Sequence, residues 1–257
     1  MNLSRRNLIS TGGIGAAGAL LTLGTATATA AAAKAKPKPV VALAPLPAIP
    51  QADGKTLLTP AQALERLKEG NRRFVADQPT QPDISSKRRM EIAQGQAPFA
   101  AVLACADSRA GPEQLFGAGL GELFVVRTAG NYADIAGTGS LQFAVSALGV
   151  PLIVVLGHER CGAVKAAAAV VKDNAKLPGA LGPMVEPIIP AVLKAKSDTH
   201  GEGDLVEAAG HANVNRVAEN LRAATDPLFA DPIKTGKLRV VGAYYDLDTG
   251  TVDFFDV

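Results

Sequence analysis

Two short segments of the chain contain the residues best suited to bind a metal ion. The first is Cys-Ala-Asp-Ser-Arg at 105–109, and the second is Gly-His-Glu-Arg-Cys-Gly at 157–162. Two thiolates and one imidazole are a familiar ligand set of catalytic zinc sites, in which the fourth position stays open. Thiolates are soft donors that favour zinc over magnesium or calcium. Cys105, His158 and Cys161 are therefore the candidate metal ligands, and one loop can aim the last two at the same ion.

An acidic and a basic residue follow the first candidate ligand. Asp107 lies two residues after Cys105, so both side chains point to the same side of an extended segment. Its carboxylate can ligate the metal or accept a hydrogen bond from metal-bound water. Arg109 lies two residues further on and can hold the carboxylate in a charge-assisted pair. A carboxylate held by arginine is less available to the metal, which leaves the fourth position to water.

Other interpretations of these residues stay open. The chain has only two cysteines, so a single disulfide between them is an alternative. Disulfides are common in exported proteins, and the N-terminal region described below predicts export. The neighbouring histidine and the Asp–Arg pair favour the metal site over the disulfide. We interpret His200 and His211 as solvated or structural, since both lie outside the two segments. Glu159 and Arg160 are interpreted as local surface or loop charges.

The elements that must position these segments are typical of an α/β domain. Unbroken apolar runs at 99–104, 122–126 and 152–156 predict strands of a parallel sheet that is covered on both faces. One helix is predicted to begin at 59–60, and four further helices are predicted at 85–93, 139–148, 162–172 and 205–224. Two more strands, at 238–247 and 251–255, flank an Asp-Thr-Gly turn. We predict a mostly parallel central sheet flanked by helices, with a C-terminal hairpin strand at its edge. Both reactive segments follow strands, so they lie where such sheets bind ligands.

The N-terminal region has the features of an export signal. Residues 1–30 combine paired Arg5 and Arg6, an uncharged stretch of Gly, Ala, Thr and Leu, and a final Ala-Thr-Ala. This pattern is typical of a twin-arginine signal peptide. Its length would also allow a membrane anchor, but its weak hydrophobicity favours cleavage. Residues 31–55 predict an extended Ala/Pro-rich linker, and 56–257 form the folded domain. We expect a bacterial protein, periplasmic or secreted, without a stable membrane anchor after cleavage.

Composition argues against a nucleic-acid partner. The formal net charge is +2, and the first thirty residues contribute two arginines and no acid, so the remainder is formally neutral. Nucleic-acid binding depends on a basic footprint, which is lacking here. Aromatic residues make up 4% of the chain and tryptophan is absent, so base-stacking surfaces are not expected. With 47% hydrophobic residues, the chain has the composition of a folded protein.

The two segments together make the sequence resemble the β-class carbonic anhydrases. The resemblance covers roughly residues 57–257 and includes the segments 70–74, 122–131 and 242–245. It implies one Zn²⁺ per subunit, held by Cys105, His158 and Cys161. It also implies that Asp107 and Arg109 form a dyad beside the metal. In this family the aspartate either swings onto zinc or pairs with the arginine.

The resemblance extends to the substrate pocket. Gln96 matches the family's substrate-binding glutamine, and Phe124 and Phe143 match aromatic pocket positions. The second aromatic position is often tyrosine in the family, so its hydroxyl is missing here. Gly162 matches the glycine beside the second cysteine. Some members have an inhibitory bicarbonate site with a tryptophan where this chain has Val102, so that site is not expected.

The activity implied by the resemblance is the reversible hydration of carbon dioxide to bicarbonate and a proton, catalysed by a zinc lyase. In that mechanism zinc-bound hydroxide attacks CO₂ while the Asp–Arg dyad orients the hydroxide. The family forms obligate dimers with the pocket at the subunit interface, so we expect a homodimer or a higher even oligomer. Hydrolysis of CS₂ or carbonyl sulfide, and a non-catalytic zinc or bicarbonate-binding role, are the alternatives. A purely structural zinc site would not need an arginine to hold a carboxylate, which argues against the last.

Overall fold

The computed structural model describes residues 46–79, 82–200 and 202–255. The signal peptide predicted at 1–30 and the linker up to residue 45 lie outside the described residues. The strands are β1 (Gln51–Ala52), β2 (Lys55–Thr56), β3 (Ala100–Cys105), β4 (Leu123–Thr128), β5 (Leu152–His158), β6 (Arg239–Tyr245) and β7 (Val252–Phe255). The helices are α1 (Pro60–Val75), α2 (Ser86–Ile92), α3 (Pro112–Phe116), α4 (Ile135–Ser146), α5 (Gly162–Asp173), α6 (Leu181–Val185), α7 (Ile189–Asp198), α8 (Leu205–Arg222) and α9 (Pro227–Lys234). A 3₁₀ turn at Glu186–Ile188 joins α6 to α7.

The central sheet has five strands in the order β4-β3-β5-β6-β7. The first four strands are parallel, and β7 runs antiparallel to β6 at the edge. In this register Cys105 lies beside Thr128 of β4, and His158 lies beside Tyr245 of β6. The prediction of a mostly parallel sheet with a C-terminal hairpin strand at its edge is confirmed.

Helices cover both faces of the sheet, which explains the unbroken apolarity of its strands. Val102 and Ala104 of β3 pack with residues of α1 and α3 on one face. Ala101 and Leu103 pack with residues of α4 and α8 on the other face. Every residue of β5 is buried. Alternate side chains of one strand therefore enter two different cores, so each of them is apolar.

Side-chain caps fix the starts of several helices. Thr59 and the side chain of Gln62 form a reciprocal capping box at α1, as the Thr-Pro signal predicts. Asp134 accepts from the Gly137 amide at 2.7 Å and starts α4 at Ile135. The prediction of a helix starting at residue 139 is therefore wrong by four residues, because the aspartate cap precedes the apolar pattern.

The segment before α1 also differs from the prediction. Asp53 and Gly54 have φ values of 51° and 71°, and they turn the chain between β1 and β2. Both are residue types that suit a hairpin turn. Ile49 packs against the core, and Arg66 donates to the Pro47 carbonyl at 2.7 Å. An extended linker is thus wrong for residues 46–55, where these contacts attach the chain to the domain.

No helix within the described ranges is long and apolar enough to cross a membrane.

Candidate metal centre

The three candidate ligands meet at the carboxyl edge of the sheet. Cys105 is the last residue of β3, His158 is the last residue of β5, and Cys161 is the N-cap of α5. Their ligand atoms all lie within 4.8 Å of one another. The side chains are buried, with 4%, 1% and 3% exposure respectively. Adjacent parallel strands thus bring together residues that are far apart in the sequence.

The two cysteines do not form a disulfide in the structure. Both are free, and their Sγ atoms are 3.8 Å apart. Bonded sulfurs would be about 2.05 Å apart. The disulfide alternative is therefore not supported by this arrangement.

His158 presents an unused ligand atom to this cluster. Its Nδ1 lies 2.8 Å from the Glu159 carbonyl oxygen, which can only accept, so Nδ1 carries the proton and Nε2 offers its lone pair. Nε2 is buried and has no hydrogen-bond partner in the part of the chain that the structure describes. A histidine whose other nitrogen donates to a carbonyl is the usual arrangement for a metal ligand. The donor set and the bare Nε2 therefore fit a zinc ion.

The contact between the two sulfurs shifts the pKa values of Cys105 and Cys161 in opposite directions. A hydrogen bond from the Cys161 thiol is the main cause that lowers the pKa of Cys105. The same contact, together with burial, raises the pKa of Cys161. This contact therefore favours a thiolate at Cys105 and a thiol at Cys161. A metal ion would replace that last proton, since thiolates are the metal-binding form.

Gly130 and Asn213 support the sulfur of Cys105. The Gly130 amide donates to Cys105 Sγ at 3.3 Å, and Asn213 Nδ2 donates to the Gly130 carbonyl at 2.8 Å. Asn213 is fully buried in α8. Neither residue was a candidate from the sequence. The available signal was an Ala-Gly-Asn sequence directly after a strand, where glycine often marks a close backbone approach.

Asp107 and Arg109 form a bidentate pair beside the cluster. Asp107 Oδ1 accepts from the backbone amide and Nε of Arg109, both at 2.9 Å, and Oδ2 accepts from Nη2 at 2.8 Å. The Arg109 guanidinium thereby holds the pKa of Asp107 well below its usual range. Asp107 Oδ2 is 3.9 Å from His158 Nε2. An ionised carboxylate therefore borders the bare ligand atom.

A second arginine, missed in the sequence, braces the same segment. Arg127 Nε donates to the Cys105 carbonyl at 2.8 Å, and its Nη2 donates to the Asp107 carbonyl at 2.6 Å. It is the one charged residue of β4. A charge directly after four apolar residues of a strand was the signal for a specific role.

The expected pocket residues occupy two places. Gly162 is the first residue of α5 and lies next to Cys161. Phe124 of β4 lies beside Ala101 of β3, whereas Cys105 lies four residues further along β3. Phe124 is therefore about 13 Å from the level of Cys105 along the strand direction. Its ring lies 6.2 Å from that of Phe143, which is 51% exposed.

Gln96 also lies away from the cysteines. It is exposed, precedes β3, and lines a shallow depression with Gly121 and Leu148. Within one chain the structure does not bring Gln96 and the two phenylalanines to the Cys–His–Cys cluster.

Comparisons with known proteins agree on one family. Residues 100–252 match the family model described as carbonic anhydrase. Carbonic anhydrase 2 of Mycobacterium tuberculosis is 43% identical over 191 residues, covering 74% of this chain and 90% of that protein. A Coccomyxa β-carbonic anhydrase is similar in structure, with a TM-score of 0.59, 30% identity, and coverage of 66% of this chain and 77% of the other. A β-carbonic anhydrase of Sordaria macrospora, described as tetrameric, gives a TM-score of 0.59 at 26% identity, covering 65% and 85% of the two chains.

Proposed function

The chain belongs to the β-class of the carbonic anhydrase family, and from that premise we propose that it hydrates CO₂ at a zinc ion held by Cys105, His158 and Cys161. One observation carries the zinc assignment: the buried Nε2 of His158, which lacks a partner among the described residues, faces two buried sulfurs. One such ion would be held by each subunit, and CO₂ and bicarbonate are the substrates.

In the proposed reaction, the zinc ion and the side chains around it have different tasks. When bound, zinc would act as a Lewis acid and lower the pKa of a coordinated water to about 7. Asp107 supplies a carboxylate acceptor beside the ligand atoms, and Arg109 fixes its direction through three hydrogen bonds. Because Arg109 also lowers the pKa of Asp107, this carboxylate is a poor store for the product proton. Asp107 therefore orients the nucleophile, and solvent or buffer takes the proton.

We propose that a second copy of the chain completes the pocket, in a homodimer or a higher even oligomer. Gln96, Phe124 and Phe143 lie towards the opposite edge of the sheet from the cysteines, and Phe143 is half-exposed. The outer side of β4 pairs with no strand of the described ranges. Residues presented in this way would line the site of a neighbouring subunit, where phenyl rings suit an apolar substrate such as CO₂. The tetrameric Sordaria relative supports an even-numbered assembly.

We also propose that the protein is exported. The support is the paired arginines at 5–6, the uncharged stretch after them and the Ala-Thr-Ala at 28–30. Twin-arginine export carries folded proteins, so zinc would be bound before the thiols meet oxidising conditions. Cell fractionation and the mass of the mature N-terminus test this. A chain that keeps residues 1–30 and stays in the cytoplasm would contradict it.

The proposed reaction is tested by measuring zinc content and initial CO₂ hydration rates of the purified chain at pH 7.5 and 8.5. We expect one zinc per chain and rapid hydration at both pH values. His158→Ala should lose zinc and activity. His211→Ala should keep both, because the His211 ring stacks on Tyr244 outside the cluster. A zinc-loaded chain that does not hydrate CO₂ would refute the proposal.

A further inference from the structure

Two residues separate His158 from Cys161, and the second has an unfavourable backbone conformation. These residues, Glu159 and Arg160, are the ligand loop. Arg160 has a φ of 50°, in the left-handed region that residues other than glycine seldom adopt. Such a conformation persists only where surrounding contacts enforce it. The contacts of the ligand loop therefore bear on where the next residue, Cys161, is placed.

The turn between β6 and β7 supplies those contacts. This hairpin turn comprises residues 246–251. Arg160 Nη1 and Nη2 donate to the two carboxylate oxygens of Asp248, both at 2.8 Å. Glu159 Oε2 accepts from the Leu247 amide at 3.1 Å, and the Glu159 amide donates to the Tyr245 carbonyl at 3.0 Å. The ligand loop therefore forms hydrogen bonds with three residues, which are Tyr245 at the end of β6 and Leu247 and Asp248 in the turn.

The turn is itself preorganised. Asp246 Oδ1 accepts from the backbone amides of Asp248 and Thr249 at 2.8 and 2.9 Å. The carboxylate of Asp248 is therefore presented on a fixed backbone. Arg160 meets it with both arms of its guanidinium, a geometry that confers more direction than a single contact.

The backbone of the ligand loop also contacts the Asp107–Arg109 dyad. The Arg160 carbonyl accepts from Arg109 Nη2 at 3.4 Å, and that Nη2 also donates to Asp107 Oδ2. A continuous set of contacts thus runs from Asp248 through Arg160 and Arg109 to Asp107. A shift of the ligand loop would move both Cys161 and the carbonyl that steadies Arg109.

We propose that Arg160 and Asp248 are positioning residues, which clamp the ligand loop so that Cys161 and the Arg109 side chain keep their places. This inference rests on the zinc site proposed above. The competing account is an ordinary surface ion pair, since the two side chains are 53% and 72% exposed. Exposed pairs contribute about 0–1 kcal/mol to stability, so that account predicts almost no consequence of breaking the bond.

The experiment compares Asp248→Asn with Asp198→Asn in the full zinc-loaded enzyme. Asp198 pairs with Lys194 at 2.8 Å on the exposed face of α7, so it provides a matched pair away from the loop. We expect Asp248→Asn to release zinc to a chelator about tenfold faster and to lower kcat about tenfold, as is usual when a ligand's supporting partner is lost. KM should change less than about twofold, because the substrate contacts are not removed.

Two further variants separate geometry from charge. Arg160→Lys keeps the positive charge but loses the two-armed contact, so it should resemble Asp248→Asn. Asp248→Glu keeps the carboxylate and should recover part of the lost zinc retention. Amide hydrogen exchange of residues 157–163 gives a readout that does not depend on activity, and it should accelerate in Asp248→Asn and not in Asp198→Asn.

The outcomes distinguish this inference from the proposed function. If wild type holds zinc, and Asp248→Asn matches Asp198→Asn in zinc release and hydrogen exchange, the clamp is refuted. If Arg160→Lys behaves as wild type, charge alone suffices and the positioning role is refuted. A wild-type chain without zinc would overturn the proposed metal site, and the exchange of residues 157–163 would then still decide the clamp.

Discussion

Gly130→Ala is the substitution whose effect can be worked out most directly from the structure. Gly130 has a φ of 96°, a conformation that favours glycine. Its amide donates to Cys105 Sγ, and its carbonyl accepts from the buried Asn213. The backbone at this position therefore cannot move without disturbing a candidate ligand and a buried polar side chain.

The magnitude has two parts. Holding alanine at this φ costs about 1–3 kcal/mol of backbone strain. The added Cβ would lie 3.2 Å from the Ala163 Cβ and much closer to Ile188 Cδ1, so neighbours must shift. Overpacking of this kind typically costs about 1–3 kcal/mol. The sum is about 2–6 kcal/mol, and each kcal/mol lowers the Tm of a domain of this size by roughly 2–4 °C.

Urea denaturation of four proteins measures these parts: wild type, Gly130→Ala, Ile188→Val and the double variant. Ile188→Val removes Cδ1 and alone costs about 0.5–1.5 kcal/mol. In the Gly130→Ala background it should instead recover much of the overpacking cost and leave the backbone strain. The reasoning is refuted if Gly130→Ala stays within about 0.5 kcal/mol of wild type, the range of an inconsequential substitution.

Three further outcomes are expected. Asp107→Asn should keep zinc but lower kcat about 10- to 100-fold, since a charged hydrogen bond contributes about 1.5–3 kcal/mol; wild-type CO₂ hydration would contradict the dyad. Arg109 lowers the pKa of Asp107 in the folded protein below the pKa of an ordinary aspartate, which is about 4. The pair therefore stabilises the fold fully at pH values above about 4, and this stabilisation is lost as the pH falls towards the lowered pKa of the folded protein. The difference in urea midpoint between wild type and Arg109→Gln should therefore shrink below about pH 4, and a widening difference would contradict this. Asn71→Ala should cost about 2–6 kcal/mol in urea unfolding, because two backbone groups that Asn71 pairs at 2.9 Å, Gly250 O and Val252 N, lose their partner; a loss under about 1 kcal/mol would show that water replaces the side chain.

Local patterns were enough to predict the sheet and the proximity of the candidate ligands. The runs ending at Cys105 and before His158 are apolar because both faces of β3 and β5 are buried. Parallel neighbours then place their carboxyl ends side by side, so the metal cluster follows from topology. The helix starting at Thr59 likewise depends on contacts within one turn.

Features that depend on distant contacts were not predictable in this way. Arg160 had the pattern of a loop charge, and its partner Asp248 is 88 residues away in sequence. The role of Gly130 depends on Ile188 and Asn213, which no local pattern connects to it. The start of α4 is a different case, since it depends on a local cap, Asp134, which precedes the apolar pattern of the helix. Gln96 and Phe143 lie away from the cluster within one chain, so their proposed roles rest on a second subunit, whose position no pattern within a single chain describes.

The edge position of β4 also has a consequence for handling the protein. Its apolar residues Leu123–Val126 are only half-buried in a single chain, and its outer backbone groups face no other strand of the described ranges. An uncovered apolar edge is a template for pairing with other chains. In the proposed assembly, a subunit that separates from its partner would therefore expose this apolar strand to pairing with other chains. We expect conditions that separate the subunits to inactivate the protein by aggregation through β4 at high protein concentration, and to do so less at low concentration, where pairing between chains is slower.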